Sequence, residues 1–132
     1  MPRYVVQRVQ DALNEAEKPM KGARVLVVGV AYKPDVTDLR ESPALDILGL
    51  LAEKGASIEY FDPYVPGVDH EGLHLHSAPS LLEAARGCDC AVVVTHHRAV
   101  DYAALVEAAP LIFDTRNAMA AAGIRSPKIV RL

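Results

Sequence analysis

The apolar run Val25-Leu26-Val27-Val28-Gly29-Val30 passes directly into a charged stretch, AYKPDVTDLRESP from Ala31 to Pro43, and then into a helical stripe. That order reads as buried strand, loop and helix, the repeating unit of a parallel sheet. In open sheets of this kind ligands sit outside the carboxyl ends of the strands, so Lys33 and Arg40 are placed to meet an anion. Ser42-Pro43 opens the following helix, since serine is favoured at the N-cap and proline at the first helical position. The unpaired N–H groups of such a helix start add to the attraction for phosphate. After Gly29, however, the chain continues Val-Ala-Tyr-Lys-Pro, which fits neither G-x-G-x-x-G nor the P-loop pattern. Anion binding here must therefore come from side chains. The residues alone leave a second reading open, in which Lys33, Asp35, Asp38, Arg40 and Glu41 form a surface salt-bridge cluster.

Strand and helix signals alternate along the rest of the chain. Strands are expected near 24–30, 57–61, 90–95, 111–113 and 128–131, and helices over about 3–17, 43–54, 79–86 and 101–109. The segment from Pro63 to Pro79, with Pro66, Gly67 and Gly72, reads as the longest irregular and most mobile stretch. The fold class that follows is α/β: a Rossmann-like three-layer sandwich with a mostly parallel five-stranded sheet, preceded by an N-terminal helix. A chain of 132 residues, 51% hydrophobic, has room for one cored domain and no more. Its net charge of −3, with no basic run, gives no support to a nucleic-acid partner. No apolar run approaches the 18 or so residues needed to span a bilayer, and no signal peptide is visible, so a soluble cytoplasmic protein is expected.

Other reactive residue types have plainer readings. His70, His74 and His76 lie in the long loop and His96-His97 follow a strand, but none has the spacing of a metal site, and no metal is expected. His96 and His97 stand at a strand's carboxyl end and can line a cleft there or serve the loop itself. Cys88 and Cys90, two apart, are expected as buried, reduced, small apolar residues sharing one strand face. Asp62 reads as the cap of the Asp62-Pro63-Tyr64 turn in preference to a ribose ligand, because no glycine fingerprint precedes it.

The loop pattern resembles the start of the C-terminal domain of the UDP-glucose/GDP-mannose dehydrogenase family. Phe61-Asp62-Pro63-Tyr64, Val92-Val93-Val94-Thr95 and Phe113-Asp114-Thr115-Arg116-Asn117 carry the resemblance over nearly the whole chain. The forms AYKPDVTDLRESPA, DPYVP and DTRNA look most like the branch that oxidises UDP-N-acetylhexosamines. The resemblance implies UDP-sugar contacts from Tyr32, Lys33 and Arg116, and a contact from Arg40 to NAD held mainly by another domain. Two cations and an aromatic face suit a diphosphate and a sugar or uracil ring. Asp35 and Asp38 would orient Lys33 and Arg40, and Asp114 would orient Arg116.

By the same resemblance, residues 1–20 are the end of the family's central linking helix and residues 21–132 the UDP-sugar-binding domain. The stripe Val5, Val6, Val9, Ala12, Leu13 and Ala16 then packs either on this domain's own sheet or against a second copy, as a homodimer. The family's catalytic cysteine and NAD-binding glycine loop match nothing here. The chain is thus expected to be the last third of an NAD-dependent nucleotide-sugar 6-dehydrogenase that acts on a UDP-N-acetylhexosamine or UDP-glucose, with no catalytic residue and no activity alone. A non-catalytic nucleotide-binding or assembly module is the alternative. A phosphate-accepting receiver domain is excluded, since Gly29-Val30-Ala31 offers no acidic cluster at the first strand's end.

Overall fold

The computed structural model describes residues 2–31 and 42–132. The first half of the chain runs α1 (Pro2–Glu15), β1 (Arg24–Val28), α2 (Pro43–Glu53), β2 (Ser57–Phe61), β3 (Gly67–His70) and β4 (Leu73–His76). The second half runs α3 (Leu81–Gly87), β5 (Cys90–Val93), α4 (Tyr102–Ala108), β6 (Ile112–Asp114), α5 (Ala118–Ala121) and β7 (Ile129–Arg131). A five-stranded sheet has the order β2-β1-β5-β6-β7, with every neighbouring pair parallel. The expected Rossmann-like sandwich is thus the observed one.

Strand alternation sorts the apolar residues between two layers. Val25, Val27, Cys90, Val92 and Phe113 face α1, α2 and the β3–β4 hairpin, whereas Leu26, Val28, Ala91, Val93 and Ile112 face α3, α4 and α5. Both faces of the central strands are therefore covered, which is why β1 and β5 read as unbroken apolar runs. Each fully buried leucine or isoleucine, such as Leu13, Leu48 or Ile112, stabilises the fold by about 1.5–3 kcal/mol. The α1 stripe resolves in favour of the chain's own core: Val5, Val6, Val9 and Leu13 pack with α2 and the sheet, and of the stripe only Ala16 is exposed.

Helix starts follow the side-chain caps written in the sequence. Ser42 Oγ accepts from Ala44 N at 3.3 Å, Ser80 Oγ from Glu83 N at 3.2 Å and Asp101 Oδ1 from Ala104 N at 3.1 Å. Gly29 ends β1 with φ 86°, and a Cβ on it would lie 2.5 Å from the Thr95 carbonyl oxygen. Glycine alone lets β1 leave the sheet so close to the segment after β5.

Two regions differ from expectation. The stretch from Pro63 to Pro79 contains an antiparallel hairpin, β3 with β4, whose two-residue turn Glu71-Gly72 has φ 46° and 86°. Positive φ at both turn residues matches the strand twist, and Val68, Leu73 and Leu75 pack inward on the core beside Val65, whose carbonyl accepts from Tyr60 Oη at 2.9 Å. The short helix α5 was also unforeseen. The cysteines are buried and free, as expected, but they serve opposite faces: Cys88 caps α3 and packs with α3 and α4, while Cys90 starts β5 and faces α1 and α2. Cys88 precedes the strand, so the two-residue rule does not reach it. Among the described residues, no helix is long and apolar enough to cross a membrane.

Candidate functional site

The chain steps outward from β1 to β2 and then returns to place β5 on the other side of β1. That reversal lies between β1 and β5, whose carboxyl ends are the usual ligand position in such sheets. Of the sequence candidates, Tyr32, Lys33 and Arg40, with Asp35, Asp38 and Glu41, lie outside the described residues. Both ends of their loop are described and are tied together. Ser42 Oγ donates to the Val30 carbonyl at 2.6 Å, and Thr95 Oγ1 donates to the Ala31 carbonyl at 2.7 Å.

Asp62, 2% exposed at the end of β2, completes this anchoring. Its Oδ2 accepts from Val30 N at 2.8 Å, from Ala31 N at 3.1 Å and from His97 Nε2 at 2.8 Å. Its Oδ1 accepts from Tyr64 N at 2.8 Å, which is the expected turn cap. The His97 ring is fully buried and lies 4.9 Å from the Tyr64 ring, and the His97 carbonyl accepts from Tyr102 Oη at 3.1 Å. His97 is therefore a buried partner of Asp62. His96 is half-buried, with its ring 5.2 Å from that of Tyr102.

Arg116 is exposed on the turn between β6 and α5. Asp114 fixes the turn from within: Oδ1 accepts from Arg116 N at 3.0 Å and Ala118 N at 3.1 Å, and Oδ2 from Met119 N at 2.9 Å. Asp114 thus orients Arg116 through the main chain, where a side-chain bond was expected. The guanidinium is tethered instead by Nε, which donates to the Val94 carbonyl at 3.1 Å. Thr115 Oγ1 donates to the Val93 carbonyl at 2.6 Å, so the turn is stitched along the end of β5. Consecutive residues Val94 and Thr95 accordingly hold Arg116 on one side and the start of the Lys33 loop on the other.

The tie made by Thr95 escaped the sequence reading, and so did the long reach of Asp62. A buried acid directly after a strand was the available signal for Asp62; for Thr95 there was none beyond its place at a strand's carboxyl end. The same geometry decides what the described residues can hold. Val30 N and Ala31 N, the first amides beyond β1, are taken by Asp62 and cannot cradle a pyrophosphate, so these residues do not fit a dinucleotide. Among the described residues no cluster of His, Cys, Asp or Glu is arranged to hold a metal ion.

Comparison with known proteins adds the family. The model described as the UDP-glucose/GDP-mannose dehydrogenase family, UDP binding domain, matches residues 26–121, from β1 through α5. The UDP-N-acetyl-D-mannosamine dehydrogenase of Methanococcus maripaludis is 34% identical over 127 residues, covering 89% of this chain and 27% of that protein. The UDP-glucose 6-dehydrogenase of Rhizobium meliloti is 32% identical over 108 residues, covering 74% of this chain and 24% of that protein. Among solved structures, the NDP-N-acetyl-D-galactosaminuronic acid dehydrogenase of Methanosarcina mazei superposes with TM-score 0.77 at 27% identity, over 100% of this chain and 28% of that one. The UDP-D-ManNAc dehydrogenase of Pyrococcus horikoshii gives 0.76 at 25% identity, over 99% of this chain and 30% of that one. This chain spans less than a third of the length of each of these relatives.

Proposed function

This chain belongs to the UDP-glucose/GDP-mannose dehydrogenase family, and from that premise we propose that it is the C-terminal, UDP-sugar-binding domain of an NAD-dependent nucleotide-sugar 6-dehydrogenase. The observation that supports the reading is the pairing made by Val94 and Thr95, which ties Arg116 and Ala31, two residues before Lys33, to consecutive positions at the carboxyl edge of the sheet. Two cations from separate loops suit the two phosphates of a nucleoside diphosphate, and Tyr32 adds a ring face for the sugar or base. Each charged contact contributes on the order of 1.5–3 kcal/mol. A UDP-N-acetylhexosamine is the preferred substrate class, in keeping with the names of the relatives.

The reaction of the whole enzyme, oxidation of the sugar C6 alcohol to a uronate by two hydride transfers, is not carried by these residues. NAD belongs to a separate N-terminal domain, with Arg40 as this chain's contact to it, and the chain alone is inactive. Residues 1–20 are the end of the linking helix, docked here on the binding domain that follows at 21–132. The full enzyme is a cytoplasmic homodimer whose contact does not use the buried α1 stripe.

Thermal unfolding with and without millimolar UDP-N-acetylglucosamine tests the reading, because a ligand that binds only the folded state raises stability by mass action. The melting temperature is expected to rise with ligand, and the rise to vanish in Lys33→Ala and in Arg116→Ala. Without ligand Arg116→Ala, at an exposed position, should stay within about 0.5 kcal/mol of the parent, and Lys33→Ala, as the loss of a ligand-facing side chain, is expected to do the same. No rise in the parent chain would favour an assembly module over a binding domain.

A further inference from the structure

We propose that Asp62 and His97 are a positioning pair for nucleotide binding: together they fix the main chain from which the Lys33 loop departs. The inference rests on the reading above that Lys33 meets the diphosphate. All four main-chain polar atoms of Val30 and Ala31 are held by side chains from other segments. Asp62 takes both N–H groups, Ser42 caps the Val30 carbonyl and Thr95 caps the Ala31 carbonyl. Beyond the last ladder bonds of β1, then, the path of the chain is dictated by β2, by the start of α2 and by the segment after β5. Lys33 follows Ala31 by two residues, so the anchor sets the point from which its segment leaves the sheet.

Stability alone does not explain the pair. A buried carboxylate and imidazole lose hydration that their attraction only partly restores, and apolar replacements of such pairs are often neutral or stabilising. The carboxylate does something no apolar group could: it supplies an internal anion at the spot where a glycine-rich turn would place a ligand's phosphate. His97 then fixes that carboxylate. The imidazole Nε2–H donates to Oδ2, the oxygen that also receives both amides, while Tyr64 packs on the ring and Tyr102 holds its main chain. Among the described residues, no buried side-chain polar atom lacks a partner. The cluster fixes the point of departure of the loop, and ligand contact is left to the side chains beyond it.

A double-mutant cycle on this chain separates positioning from mere structure. UDP binding is measured by titration calorimetry for the parent, Asp62→Asn, Lys33→Ala and the double variant, at a temperature where circular dichroism shows each to be folded. Asp62→Asn keeps the Tyr64 turn cap but points an amide nitrogen at three donors. It is expected to weaken UDP binding about tenfold in the parent and to have no further effect in the Lys33→Ala background. Should Asp62→Asn fail to fold, His97 carries the comparison, because His97→Gln retains an N–H for the carboxylate and His97→Leu does not. His97→Gln should bind UDP nearly as the parent does, and His97→Leu should lose affinity in the Lys33 background only. Unchanged affinity in the folded variants, or an equal loss with and without Lys33, overturns the positioning role and leaves the binding domain intact. Failure of the parent chain to bind UDP overturns both readings together.

Discussion

Asp62 and Asp114 are both buried aspartates at the carboxyl ends of parallel strands, yet they organise their surroundings in opposite ways. Asp114 works locally, accepting from the main chain of Arg116, Ala118 and Met119, all within five residues. Asp62 works at a distance: among the described residues its carboxylate holds Tyr64 nearby, and Val30, Ala31 and His97 at 32, 31 and 35 residues away. A local aspartate shapes one turn and presents one arginine. A remote one sets three loop starts against each other, so that a loop carrying charge can be aimed as a unit.

The largest expected effect tests that contrast through stability. Asp62→Ala removes the acceptor of three amides, two of them buried, and of a buried imidazole N–H, and urea unfolding should show a loss of about 3–5 kcal/mol. Asp114→Ala frees three amides of a short turn that water can reach on local opening, and the loss should be about 1–3 kcal/mol. Equal losses would erase the distinction between local and remote anchoring.

A third aspartate sharpens the comparison from the amino edge of the sheet. Asp89 is partly exposed, and the N–H of Arg24, 2.8 Å away, followed by Lys18 Nζ at 3.0 Å, holds its carboxyl below the usual range. A lowered folded value means that its contribution is fully present above the ordinary aspartate pKa, about 3.9, and is lost as pH falls below it. Asp89→Asn should therefore be less stable than the parent at pH 7, and the two should converge as the pH falls below about 4. A parallel acid curve would show that the pair with Arg24 and Lys18 is spent against solvent.

The smallest effect comes from the two thiols, whose hydrogen bonds run to nearby carbonyls and to neither aspartate. Burial pushes both Cys88 and Cys90 up to about 12, so neither should react with Ellman's reagent at pH 8 in the native protein. Rapid labelling of either would show local opening at the start of β5.

How much of this was legible in the residues depended on distance along the chain. The apolar runs that became β1 and β5, the Ser42-Pro43 helix start and the Asp62-Pro63-Tyr64 turn are each decided within a few residues, and each stands where the pattern put it. Arg116 was picked out by its family motif, and the structure places it at the expected edge. The hairpin was missed because Pro66 and Gly67 drew attention to irregularity, although Val68, Leu73 and Leu75 alternate correctly about Glu71-Gly72. The α5 helix was missed because four residues carry no periodic stripe, and its cap comes from Asp114 and not from the residue beside it.

The sequence by itself determined the element types, the caps and the side chains available to an anion, because these follow from propensity and spacing over one or two turns of chain. Only the tertiary structure decided that Asp62 would meet Val30, Ala31 and His97, and that Val94 and Thr95 would join Arg116 to the Lys33 loop. Those contacts arise from the parallel order β2-β1-β5-β6, which sets strand ends side by side that lie about thirty residues apart in the chain. Strand order is chosen by the packing of whole faces, a property of the assembled core that no local pattern contains.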